Sequence, residues 1–204
     1  MRASAPDPGD LRAVISKKIA CLFIGMVAAL AVRADVIPSF VSATATSGGN
    51  TVWSYQIDIT SDQQVTTGDF FTIHDFGNFI PGTNMQPTNW SFSSLLVGPT
   101  PSGVHPADDP NIPNLTWTYT GSATIPTNTT LGPFSVTLAG TQFVSAPVRQ
   151  AFFSAQATRS NGPNAGTKVN NVGQVPVPIP EPSSLALLVL AGLSGLAFYR
   201  RSRS

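Results

Sequence analysis

Thiols are almost missing from this 204-residue chain, whose single cysteine, Cys21, sits inside an amino-terminal apolar run. A body without thiols has no disulfide, no thiolate metal centre and no cysteine nucleophile. Its stability has to come from packing and hydrogen bonding. Charge is scarce too, at 10% of residues, and it is unevenly placed. Residues 1–34 hold five cations against two aspartates, residues 35–175 three cations against seven aspartates, and residues 176–204 three arginines against Glu181. A nucleic-acid binder needs a basic face that releases phosphate counterions, which an acidic body with three cations lacks. Nucleic acid is therefore excluded as a partner, and the basic ends read as membrane-topology signals. Also missing are a G-x-S-x-G nucleophile motif, the D-x-[DN]-x-[DN]-G calcium spacing and any internal repeat. Within the body no segment has a sustained apolar period of 3.6 residues, so helices are not expected there.

What is present begins with a targeting segment. Lys17 and Lys18 precede the fourteen apolar or small residues Ile19–Val32, followed by Arg33 and Ala34. A positive segment, a short apolar stretch and small residues near its end predict a secretory signal over residues 1–34, cleaved after Ala34. Cys21 lies within that stretch rather than after it, which argues against lipidation. Residues 1–13, with two prolines and two aspartates, fit no part of a signal, and translation is expected to begin near Val14.

The body, residues 35–160, is rich in Thr, Ser, Asn and Gly with bursts of aromatic and β-branched residues. In Thr51–Ile59 the residues Thr51, Trp53, Tyr55, Ile57 and Ile59 share one face and polar residues dominate the other, the period of a half-buried strand. Leu115, Trp117 and Tyr119 repeat this pattern with threonines between them. Further strands are expected at 37–45, 69–76, 89–97, 133–139 and 150–159, separated by Gly, Pro, Asn and Asp turns. The predicted fold is all-β: an antiparallel, immunoglobulin-like β-sandwich ectodomain with an amino-terminal signal helix and a carboxyl-terminal single transmembrane helix. Trp53, Phe71, Ile73, Trp117, Tyr119, Phe134, Val136 and Phe153 are its expected core. Residues 161–182 lose their aromatics and end in alternating prolines, which predicts an extended linker. The seventeen uncharged residues Ser183–Tyr199 suit a short membrane span, and Arg200, Arg201 and Arg203 would stop transfer and stay cytoplasmic.

Sites for chemistry are few. His74, Asp75 and Asp69 suggest a hydrolase, but neighbouring strand residues point to opposite faces, so His74 and Asp75 cannot simply pair. His74 is expected at the surface of a polar face, and no catalytic residue, resident cofactor or metal is expected. Asp108 and Asp109 are candidate calcium ligands, although calcium needs six to eight oxygens and a turn made by aspartate and proline is the simpler reading. Trp90, beside a turn-rich loop, is the candidate glycan contact.

The order Ile179-Pro180-Glu181-Pro182, apolar segment, arginine-rich terminus resembles the PEP-CTERM sorting signal of Gram-negative bacteria. That kind of tail also carries the label of an ice-binding protein carboxyl-terminal region. The resemblance implies recognition of Pro180, Glu181 and Pro182 by an exosortase, a multi-pass membrane protease that processes the tail, with delivery to the cell surface and exopolysaccharide matrix. Within the body, Gly68–Gly82, Asp108–Gly121 and Phe152–Thr167 resemble an ectodomain recurrent among such proteins, which implies a β-rich secreted domain. The expectation is an exported envelope or matrix protein with a structural or adhesive role. A carbohydrate- or calcium-dependent binding module is the alternative, and a hydrolytic enzyme the third.

Overall fold

The computed structural model describes residues 36–141 and 148–178. The signal with its Ala34 cleavage site, the residues Pro180, Glu181 and Pro182, and the apolar tail with Arg200, Arg201 and Arg203 lie outside the described residues. Nine strands are described: β1 (Val36–Ala45), β2 (Thr51–Ile59), β3 (Gln63–Gln64), β4 (Phe70–Ile73), β5 (Trp90–Leu95), β6 (Asn114–Tyr119), β7 (Thr129–Leu138), β8 (Val148–Arg159) and β9 (Lys168–Pro178). Every pairing is antiparallel. Among the described residues no helix is long and apolar enough to cross a membrane.

Two sheets form. The smaller has the order β1-β2-β7; the larger runs β3-β8-β4-β6-β5, with β9 also paired to β8. Strict alternation in β2 buries Thr51, Trp53, Tyr55, Ile57 and Ile59 and leaves the residues between them half-buried. The inner faces meet on Phe134 of β7. Its ring lies edge-on to Phe71 of β4 and Trp90 of β5, with ring centres 5.0 Å away in each case, and 5.9 Å from Trp117 of β6. Edge-to-face aromatic pairs contribute roughly 0.5–1.5 kcal/mol each beyond their area burial. This cluster joins the sheets where a disulfide is unavailable. All eight expected core residues are buried.

The linker expected over residues 161–182 is corrected. Residues 168–178 form β9, in register with β8 from Thr158↔Lys168 to Val148↔Pro178. Val175 and Val177 are buried in the core, so the apolar alternation outweighs the prolines. Proline is tolerated because β9 is an edge strand, where an N–H facing away from the ladder has no partner to lose. The carbonyl of Pro176 instead accepts a 2.7 Å hydrogen bond from Tyr55 Oη of β2 in the smaller sheet. Gly173 is required by packing, since a Cβ there would sit 2.6 Å from Phe153 Cε1.

Between β4 and β5 the chain crosses to the smaller sheet, where Phe79 bridges to Leu138 and Met85 to Ser135. That segment covers the outer edge of β7. Between β5 and β6, residues 96–113 fold back over the outer face of the larger sheet.

Candidate functional site

The outer face of the larger sheet holds most of the buried polar groups. Alternation along β4 and β8 directs Phe71, Ile73, Phe153 and Ala155 inward and Thr72, His74 and Ser154 outward, yet Thr72, His74 and Ser154 are all fully buried. The 96–113 segment covers them. Thr72 Oγ1 donates to the Pro99 carbonyl at 3.0 Å, and Asn114 Nδ2 donates to the Leu96 carbonyl at 3.2 Å and to Asp108 Oδ1 at 2.9 Å. Gly98 allows the close approach, because a Cβ there would meet Asn114 Cβ and Thr72 Cγ2 at 3.0 Å.

His74 therefore corrects the expectation of a surface residue. Its Nε2 lies 2.9 Å from Ser154 Oγ, and its Nδ1 is buried without a hydrogen-bond partner, 3.7 Å from Asp108 Oδ1. At that separation the two attract but do not bond. Burial lowers the pKa of His74, while Asp108 and then Asp75 pull it back up. Ser154, His74 and Asp108 have the residue types of a nucleophile, base and orienting acid. They lack the access such chemistry needs, because the hydroxyl and the imidazole are both enclosed by the sheet and the 96–113 segment. The arrangement fastens the loop to the sheet.

Asp75 extends the same network. Its φ of 54° turns the chain out of β4, a left-handed geometry that aspartate tolerates. Its N–H donates to Asn114 Oδ1 and its Oδ1 accepts from the Asp109 N–H, both at 2.7 Å. Arg149 donates to the Asp75 carbonyl and places a guanidinium nitrogen 3.9 Å from Asp75 Oδ2. Asp109 Oδ1 accepts from Asn111 N at 2.9 Å and Nδ2 at 3.0 Å, and these bonds hold its carboxyl below the usual carboxylate range. The proposed calcium pair is thus divided, with Asp108 facing Asn114 and His74 and Asp109 closing its own turn. Among the described residues no group of three or more His, Cys, Asp or Glu is placed to hold a metal ion.

Asp69, the third member of the hydrolase suggestion, belongs to a separate cluster. Lys168 Nζ approaches its Oδ1 at 2.6 Å, while its Oδ2 accepts from Thr66 N and Thr158 Oγ1 at 2.8 Å and from Thr66 Oγ1 at 3.1 Å. This buried carboxylate joins the 65–69 turn to β8 and β9.

Trp90 is corrected as well. It is 6% exposed, packed against Phe71, Tyr119 and Phe134, and its indole N–H is buried. An edge-strand tryptophan facing inward is not available as a sugar platform. The alternation Trp90-Ser91-Phe92-Ser93 carried that information: its aromatic residues share the inner face. Ser154 gave no comparable signal in sequence, since one serine among many is distinguished only by the histidine opposite it.

The described body is thus an all-β domain whose buried polar clusters bond its loops to its sheets, and a further signal lies at the carboxyl end of the chain. A family model described as the PEP-CTERM protein-sorting motif matches residues 178–204, which include Pro180, Glu181, Pro182 and the three terminal arginines. The chain is a PEP-CTERM domain-containing protein. The motif marks an exosortase-sorted extracellular protein: exported, held at the membrane as a precursor, and processed by that membrane protease for the cell surface. Comparison with curated proteins gave no match.

Proposed function

We propose that the chain is a non-enzymatic structural or adhesive component of the cell surface of a Gram-negative bacterium, retained in its exopolysaccharide matrix. The body serves as an immunoglobulin-like β-sandwich, threaded across the inner membrane by the residue 1–34 signal and held there by residues 183–204 until the tail is processed. The observation that carries this reading is the sorting motif joined to a body whose Ser154 and His74 are sealed and whose carboxylates are occupied by internal donors.

Fractionation and intact-mass measurement of the native protein, with and without the host's exosortase, test the delivery. The processed form should be at the surface without Arg200, Arg201 and Arg203, and should remain in the membrane fraction when the protease is deleted. Retention of all three arginines on surface protein would refute processing. For the matrix role, the processed protein should be released when the exopolysaccharide is removed enzymatically; full retention on polysaccharide-free cells would refute it.

A further inference from the structure

The region matched by the sorting motif begins at Pro178, which is also the last rung of the larger sheet, in register with Val148. Only Ile179 separates that rung from Pro180. Two residues of chain reach at most about 7 Å. The recognition tripeptide therefore has no spacer between itself and the folded body. Upstream of it, Val175 and Val177 are 1% and 0% exposed, Pro178 is buried, and the Pro176 carbonyl is held by Tyr55. The main chain here is committed to β8 on one side and to the core beneath.

We infer that tail processing requires the end of β9, residues 175–178, to peel from β8, so that access to the sorting motif is controlled by the body's own sheet. This rests on the reading that exosortase processes the tail and adds a regulation to it. A protease must enclose an extended substrate, and main-chain groups already paired in a ladder cannot be paired a second time. The position of the strand makes peeling feasible. β9 lies at an edge, so opening breaks its rungs to β8, the Tyr55 bond to Pro176 and the burial of Val175 and Val177, but no second strand has to be displaced. The protease then acts on a minor open state, and its apparent rate is reduced by that state's population.

The test measures conversion of precursor to processed protein after pulse-labelling of the full chain in its host. Six glycine and serine residues inserted between Pro178 and Ile179 leave β9 intact and supply the missing spacer. Processing should become at least about tenfold faster, the factor set by removing the dependence on the open fraction. In a second variant, Gln150→Cys with Pro176→Cys, the cysteines face each other across the β8–β9 pair. The oxidised form should stay unprocessed, and reductant should restore processing, with the single-cysteine variants as controls. An unchanged or slower rate in the spacer variant, or normal processing of the oxidised lock, would overturn the inference. Absence of processing in every form, wild type included, would overturn instead the sorting reading on which it rests.

Discussion

The buried imidazole of His74 makes a pH dependence that can be worked out in sign and size. Burial disfavours its charged form, so its pKa in the folded protein lies below the ordinary histidine value, with Asp108 and Asp75 only partly opposing that effect. Above about pH 6.5 the side chain is neutral folded or unfolded and adds no slope. As the pH falls below that value the unfolded chain takes up a proton that the folded chain refuses, and stability is lost until the folded pKa is passed. One proton limits the slope to about 1.4 kcal/mol per pH unit, so the loss between pH 6.5 and 5.0 is at most about 2 kcal/mol. Asp109, whose carboxyl is held low by Asn111, adds its own loss only below about pH 4, outside this window. Urea unfolding of the wild type and of His74→Gln, followed by tryptophan fluorescence from pH 7.5 to 4.5, isolates the contribution. The variant should be less stable at neutral pH, because Ser154 loses its imidazole partner, and the gap should narrow as the pH falls. Two curves running parallel across the whole range would refute the reasoning.

Two further substitutions examine the packing and the other polar cluster. Phe134→Ala removes the ring shared by Phe71, Trp90 and Trp117 and should cost about 3–5 kcal/mol, read from the urea midpoint at constant slope. Asp69→Asn keeps the shape of the side chain but sets an amide where the carboxylate met Lys168. It should cost about 2–3 kcal/mol in the same assay, with faster amide hydrogen exchange at Thr66.

How far the sequence revealed this molecule depended on whether a face was covered by sheet or by loop. The β2 alternation was legible because its inner face meets another sheet of apolar residues. Thr72 and His74 were not, because the 96–113 segment lies over them, with Pro99 bonded to Thr72 and Asp108 facing His74, and a loop that meets polar groups leaves no apolar period to detect. β9 was hidden for a different reason: its prolines suggested a spacer, although Val175 and Val177 kept the alternation of a strand. Prolines count against a strand only where their missing N–H would have been used. The turn-rich loop before Trp90 suggests an exposed ring, whereas the alternation after it has the inward period. The sorting tail was legible outright, since its function depends on linear order rather than on partners brought together by folding.

The pairing of distant strands also sets how this body comes into being. Trp53 pairs with nearby Ala43 on one side, but its other side waits for Val136, and Phe71 needs both Trp117 and Ala155 to be flanked. Such non-local pairing makes folding slow compared with domains built from neighbouring contacts. Most of the chain must therefore have been made before either sheet closes. For a protein that has to be threaded across a membrane, that delay keeps it in the extended form that can pass.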